Sequence, residues 1–220
     1  MVISFNGRQL DWIATKGTTT GKADVYLDNV YRTTIDLAAS VVAYQVNVWS
    51  TGILPLGYHT VKIVRSASNV SGKYITVDAV DVAGTLVPTS RKEESEPLIL
   101  WNPAFTSWTT DTSASASGGS YTYINTAGAT ITIGFTGVSL DLIARKAPSY
   151  GKMWVTVDGA TSYTVDLYSS ASAYKKTVWR SGFLAPGDHT VTITRLGTKN
   201  AYSSGYTIDL DAIDLLGELK

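Results

Sequence analysis

Few residues in this chain could move a proton or attack a carbon. There are two histidines, His59 and His189, and no cysteine. The histidines share one context, GYHTVKI and GDHTVTI, a turn opening into an alternating apolar run. Three aspartates recur in the same way: Asp11 with Asp141, Asp28 with Asp158, and Asp36 with Asp166. Hydrolysis by acid–base catalysis needs titrating groups positioned in a cleft, and nucleophilic catalysis needs a Ser or Cys beside a base. No G-x-S-x-G, H-E-x-x-H or C-x-x-C pattern is present, so no such constellation is visible. A residue kept at the same place twice suits scaffold. Each histidine is expected to hydrogen-bond across a strand entrance, and each turn aspartate, Asp28 and Asp158, to bond its own backbone. The chain is not expected to be an enzyme, although it suits an appendage of one that acts on glycosides.

These recurrences belong to one long repeat. Residues 3–65 align with residues 133–195 without a gap, at an offset of 130, with roughly two positions in five identical, which makes two domains of one fold rather than a solenoid. The match resumes at an offset of 133, where YITVDAVDVAG meets TIDLDAIDLLG. What both copies keep is read as scaffold, and what one copy alone keeps as candidate site. The second copy has Arg145 and Tyr150 where the first has Thr15 and Thr20, and Thr198-Lys199-Asn200-Ala201-Tyr202 where the first has Ser68-Asn69-Val70. A sugar ring offers a C–H face that stacks on an aromatic ring, and hydroxyls that take donors from Asn, Lys and Arg. Tyr150 and Tyr202 are the candidate faces. Arg145, Lys146, Lys199 and Asn200 are the candidate polar contacts. Trp49 and Trp179 lie in strands of both copies and are read as packing residues, with sugar stacking the lesser reading.

The elements that must position these groups are strands. ADVYLDNV, YQVNVW, HTVKIV, MWVTVDG, HTVTITR and YTIDLDAIDLL alternate with period two, and turn signals such as Asp158-Gly159 and Ala185-Pro186-Gly187 separate them. The expected fold class is all-β: two tandem antiparallel β-sandwich (jelly-roll) domains. The expected boundaries are 1–85 for the first repeat, 86–97 for an exposed linker around TSRKEESEP, and 98–220 for the second repeat. Two further strands, around Gly119–Asn125 and Ala129–Phe135, open the second domain. Nothing before Ile3 matches them, so the first domain is expected to lack its N-terminal strands and to expose a sheet edge through which a homo-oligomer could form.

Composition narrows the partners. The 18 basic and 18 acidic side chains cancel, which leaves no basic field for nucleic acid. No apolar run approaches the length of a membrane span, so no membrane insertion is expected. Absence of cysteine removes disulfides and thiolate zinc sites. No signal peptide precedes Ile3, so a secreted parent would make this chain a fragment.

The segments Pro186-Gly187-Asp188-His189-Thr190-Val191 and Ile208-Asp209-Leu210-Asp211-Ala212-Ile213 resemble galactose-binding-like jelly rolls, and most of all the carbohydrate-binding modules of families six and thirty-five, here in tandem. The resemblance implies a non-catalytic module pair that tethers a larger extracellular or cell-surface protein to a glycan or polysaccharide. It implies a sugar site on loops at one end of the sandwich, here those bearing Arg145, Lys146, Tyr150, Lys199, Asn200 and Tyr202. It implies no organic cofactor and leaves a carboxylate-held Ca²⁺ open. Asp209 and Asp211 share a strand face and should not be buried unpaired. Either that stretch is a sheet edge with a solvated face, or Asp211 meets a cation or an arginine, with Arg195 and Arg65 the candidate arginines. The alternative reading is a structural or interaction module of a phage tail, adhesin or stalk, with no small ligand.

Overall fold

The structure is a computed structural model that describes residues 1–220, the side chain of residue 161 excepted. The chain forms two compact units, Met1–Pro88 with Ala185–Gly187, and Thr89–Leu184 with Asp188–Lys220. Both are built from antiparallel strands.

The first unit contains β1 (Val2–Lys16), β2 (Lys22–Leu27), β3 (Val30–Asp36), β4 (Ala43–Ser50), β5 (Gly57–Arg65) and β6 (Ala79–Leu86). They run in the order β3-β2-β5-β1-β4, with β6 also paired to β1. The long strand β1 serves two partners in turn: Val2–Gly7 face β5, and Asp11–Lys16 face β4. A register shift between Gly7 and Gln9 divides it. The shift moves the buried set from an odd position, Phe5, to the even positions Leu10, Trp12 and Ala14. An extra residue in one strand inverts which face the following side chains take, and here that keeps both halves on the core.

The second unit contains β7 (Ser90–Glu93), β8 (Ile99–Asn102), β9 (Thr109–Thr112), β10 (Ser120–Ile124), β11 (Thr130–Lys146), β12 (Lys152–Val157), β13 (Thr161–Asp166), β14 (Ala173–Arg180), β15 (Gly187–Arg195), β16 (Ile208–Leu210) and β17 (Ala212–Leu219). One sheet runs β13-β12-β15-β11-β17-β7, with β8 and β14 also on β11; a second runs β16-β10-β9. The same inversion recurs along β11: Ile131, Ile133 and Phe135 precede a register shift at Gly137, and Leu140, Leu142 and Ala144 follow it. At this crossing the backbones meet so closely that a Cβ on Gly137 would stand 2.3 Å from the Leu216 carbonyl oxygen, and one on Gly217 would stand 2.2 Å from that of Thr136. Each fully buried Leu, Ile or Phe contributes about 1.5–3 kcal/mol by leaving water.

Of the two strands expected to open the second unit, the earlier is β10, which like β9 has no counterpart in the first unit; the later is corrected, since it is the start of β11, whose counterpart β1 is present. The consequence of the missing β10 is local. Ile208–Leu210 forms β16 by pairing with β10, whereas the equivalent stretch, Ile75 to Val77, is not a strand and is tied to β1 through Thr76, which bonds Thr15 and accepts the Trp12 indole N–H. The supposed linker, 86–97, is corrected. Ser90–Glu93 is β7 and pairs with β17 along Leu215↔Ser90 to Ala212↔Glu93. Its charges suggested a solvated segment, but Arg91 pairs with Asp214 at 2.7 Å, and Glu94 is 1% exposed.

Candidate functional site

Both histidines are scaffold. His59 Nδ1 lies 2.8 Å from Asp28 Oδ2, while Asp28 Oδ1 accepts the Thr60 backbone N–H. His189, Asp158 and Thr190 repeat the arrangement at the same distances. The turn aspartates therefore reach across to the neighbouring strand and do not bond their own turns, which corrects the expectation for them. Asp28 and Asp158 both take positive φ, at 50° and 51°, a conformation Asp tolerates in a tight turn. Burial pushes the Asp158 pKa up, but the bonds from His189 and Thr190 outweigh it and leave the group below its ordinary value.

A cleft of about 170 Å³ opens in the second unit, lined by Asp111, Tyr121, Tyr123, Arg145, Ser149, Tyr150 and Thr207. Strands β9 and β10 supply its first three residues, and Tyr121 stands opposite Asp111 in their register. Arg145 is next to last in β11. Tyr150 closes the following turn, held by a backbone bridge to Thr207 and by the Ser203 hydroxyl, which donates to its carbonyl at 2.7 Å.

Arg145 is the hub. Its guanidinium donates to the Tyr121 hydroxyl and to Ser172 Oγ, both at 2.7 Å. It also lies 4.9–5.5 Å from the ring centres of Tyr174, Tyr121 and Tyr150, within cation–π range. Tyr121 passes its own proton toward Asp111 Oδ2 at 3.0 Å. Burial, assisted by the bond to Asp111, pushes the Tyr121 pKa up to about 12, and burial raises Tyr150 further. Both phenols stay neutral donors. Arg145 Nε keeps no partner. Beneath, Asp209 is fully buried and accepts the Arg145 backbone N–H at 3.0 Å. Burial holds its pKa well above the usual carboxylate range. The arrangement offers fixed donors, a carboxylate acceptor and aromatic surface.

Of the six sequence candidates, Arg145 and Tyr150 line this cleft and the other four do not. Tyr150 is 3% exposed, so its ring belongs mainly to the core. Lys146 sits in β11 opposite Ala173. Lys199 Nζ lies 4.9 Å over the Tyr206 ring. Asn200 donates to Asp166 Oδ2 at 2.8 Å and accepts from the Tyr202 N–H, which makes it a loop brace. Tyr202 is 83% exposed beside Tyr168. Asp111, Tyr121 and Tyr123 were missed because their strands have no counterpart in the first copy. The contrast between copies could not flag them.

The candidate arginines for Asp211 are engaged elsewhere. Arg195 donates to the Tyr206 carbonyl and to Asn125, and Arg65 to the carbonyls of Lys73 and Val70. Asp211 is fully buried, and one of its oxygens accepts the Ser117 N–H at 2.8 Å. Burial, with Glu94 and Glu93 nearby, raises its pKa to about 6. Among the described residues no three carboxylates stand close enough, as placed, to ring a metal ion. Even so, Glu93, Glu94 and Asp211 each keep one buried oxygen without a partner. Such orphaned oxygens are costly to bury, and as placed they assemble no cation site.

The fold is an all-β sandwich pair with a polar–aromatic cleft in its second unit. No known family profile matches the chain. An A type blood alpha-D-galactosamine galactosaminidase from Flavonifractor plautii is 26% identical over 230 residues, which takes in 99% of this chain and 19% of that protein. The chain thus spans about a fifth of the length of the curated relative it matches. Among solved structures, a family 35 carbohydrate binding module from Clostridium thermocellum aligns at 14% identity and TM-score 0.37, over 56% of this chain and 96% of the module. A xanthan lyase from Paenibacillus aligns at 15% identity and TM-score 0.42, over 98% of this chain and 21% of the lyase.

Proposed function

We propose that this chain is a non-catalytic glycan-binding segment of a larger extracellular or cell-surface protein that acts on or adheres to carbohydrate. The observation that carries the reading is the Arg145 hub: a guanidinium set among three tyrosine rings, with Asp111 and Ser149 at the cleft. A saccharide presents hydroxyls that such donors and acceptors satisfy together, and C–H faces that suit aromatic walls. The first unit has Thr15 and Thr20 at the corresponding positions and has neither β9 nor β10. Its role at that end is structural. The match along the whole chain to part of a galactosaminidase supports a carbohydrate context. A single shallow site of this kind corresponds to a Kd in the millimolar to micromolar range, about 4–8 kcal/mol, and its effect is to localise the parent protein.

A second reading, an interaction module, draws on a separate observation. In the first unit β6 pairs with β1 alone, while its counterpart β17 is covered by β7. A second copy could add a strand there, and light scattering of the whole chain would then give a dimer. The glycan reading is tested on an array that includes α-linked galactosaminides, with Arg145→Ala as control. Loss of the α-galactosaminide hits in the variant is expected. An array without hits overturns the reading.

A further inference from the structure

The two copies also differ at a tryptophan they share. Trp179 is 8% exposed and lies under Tyr163, with ring centres 5.9 Å apart. The counterpart of Tyr163 in the first unit is Thr33, so Trp49 lacks that cover. In its place is a cleft of about 300 Å³ lined by Leu27, Arg32, Trp49, Ser50, Thr51 and Leu54.

The polar groups of this cleft have changed as well. The second unit has Ser162 for Arg32 and Arg180 for Ser50, and Asp141 holds Arg180 at 2.9 Å. In the first unit, neither the exposed Arg32 guanidinium nor the Trp49 indole N–H makes a hydrogen bond within the described residues. Ser50 Oγ accepts from Gly52 N at 3.1 Å and from Gln9 Nε2 at 3.4 Å, which leaves its own proton to donate. Thr51 is engaged, since it accepts the Leu10 N–H and donates to the Gly52 carbonyl. An uncovered indole beside two free donors, in a recess large enough for one sugar ring, has the chemistry a saccharide needs.

We propose that the first unit carries a saccharide-binding site of its own, at Trp49, in which Arg32 and Ser50 donate to the sugar's oxygens. Arg32 is the one ionised side chain in the lining, and no carboxylate accompanies it. The site therefore favours a sugar bearing a carboxylate over its neutral counterpart. It shares no residue with the Arg145 cleft, and the choice of ligand rests on the chemistry at Trp49 alone.

The test uses the whole chain with ¹⁵N-labelled tryptophan, the Trp49 indole resonance being assigned by its loss in Trp49→Phe. D-galacturonate and D-glucuronate are titrated against D-galactose and D-glucose. A saturable shift of the Trp49 resonance is expected with an acidic sugar, with affinity higher than for its neutral counterpart by about threefold or more, the scale of one solvent-screened charge contact. Arg32→Ala should abolish that difference. Thr33→Tyr, which restores the covering ring of the second unit, should abolish the shift, and Arg145→Ala should leave it unchanged. No shift with any of the four sugars overturns the site. A shift that survives Thr33→Tyr moves it away from this cleft and overturns it too. Equal affinity for acidic and neutral sugars overturns the role given to Arg32.

Discussion

Arg145 and Tyr121 are joined by a 2.7 Å hydrogen bond that ties β11 to β10. The first unit cannot make this link, since it has no strand equivalent to β10. The bond continues to Asp111, so three strands meet at one polar chain, and the same chain forms the wall of the cleft. Arg145→Lys keeps the charge but loses the planar fork that serves Tyr121 and Ser172 at once. It is expected to weaken glycan binding about tenfold or more, the scale of one charge-assisted hydrogen bond. Calorimetric titration checks this against the retained fold, read by circular dichroism.

Tyr150 tests packing. Because it is 3% exposed, Tyr150→Ala should cost about 3–5 kcal/mol of stability, as loss of a buried aromatic ring does. Tyr150→Phe keeps the ring and should cost about 1 kcal/mol or less. Urea unfolding of both variants distinguishes a core tyrosine from a stacking platform, since a platform lost to Ala would leave stability unchanged.

Asp211 sets a pH dependence. Its folded pKa of about 6 exceeds its unfolded value of about 4. The native state therefore binds more protons than the unfolded state between those values, and stability falls as pH rises through that window. The effect is up to about 2–3 kcal/mol, at 1.36 kcal/mol per unit, and Asp209 acts in the same direction. Asp158, held low, acts oppositely, and its contribution is lost only at more acid pH. Thermal melts at pH 4.5 and 7 measure it. A melting temperature insensitive to pH across that window would contradict the placement of Asp211.

Gly217→Ala probes the strand crossing. The residue sits at φ 149°, and an added Cβ would lie 2.2 Å from the Thr136 carbonyl oxygen. A loss of about 2 kcal/mol or more is expected from backbone strain and the displaced ladder. A variant as stable as the parent in guanidinium would contradict the close approach.

Much of the fold was legible from the repeat, because a period of two with turn residues at equal places in both copies admits few architectures. The absence of a β10 counterpart was legible too, from unmatched sequence before β11, whereas Ala129–Phe135 is the start of β11 and not a further strand. The site was less so. The contrast between copies led to Arg145 and Tyr150, but it also led to Asn200, whose side chain braces Asp166. Substitution between copies marks loop geometry as readily as ligand contact. Tyr121 and Asp111 lie in strands without a counterpart, where the comparison has nothing to compare. The charged run at 91–96 suggested solvent, yet Glu94 is buried, with the Ser120 hydroxyl donating to it at 2.6 Å. Local composition does not reveal which partners a fold brings to a carboxylate.

The most direct measurement is calorimetric titration of the whole chain with the best array-selected glycan, beside the same titration of Arg145→Ala. A saturable isotherm with Kd between about 1 µM and 1 mM, abolished by the substitution while the melting curve stays cooperative, is the predicted result. Equal affinity in the two proteins would contradict the claim that the Arg145 cleft holds the sugar.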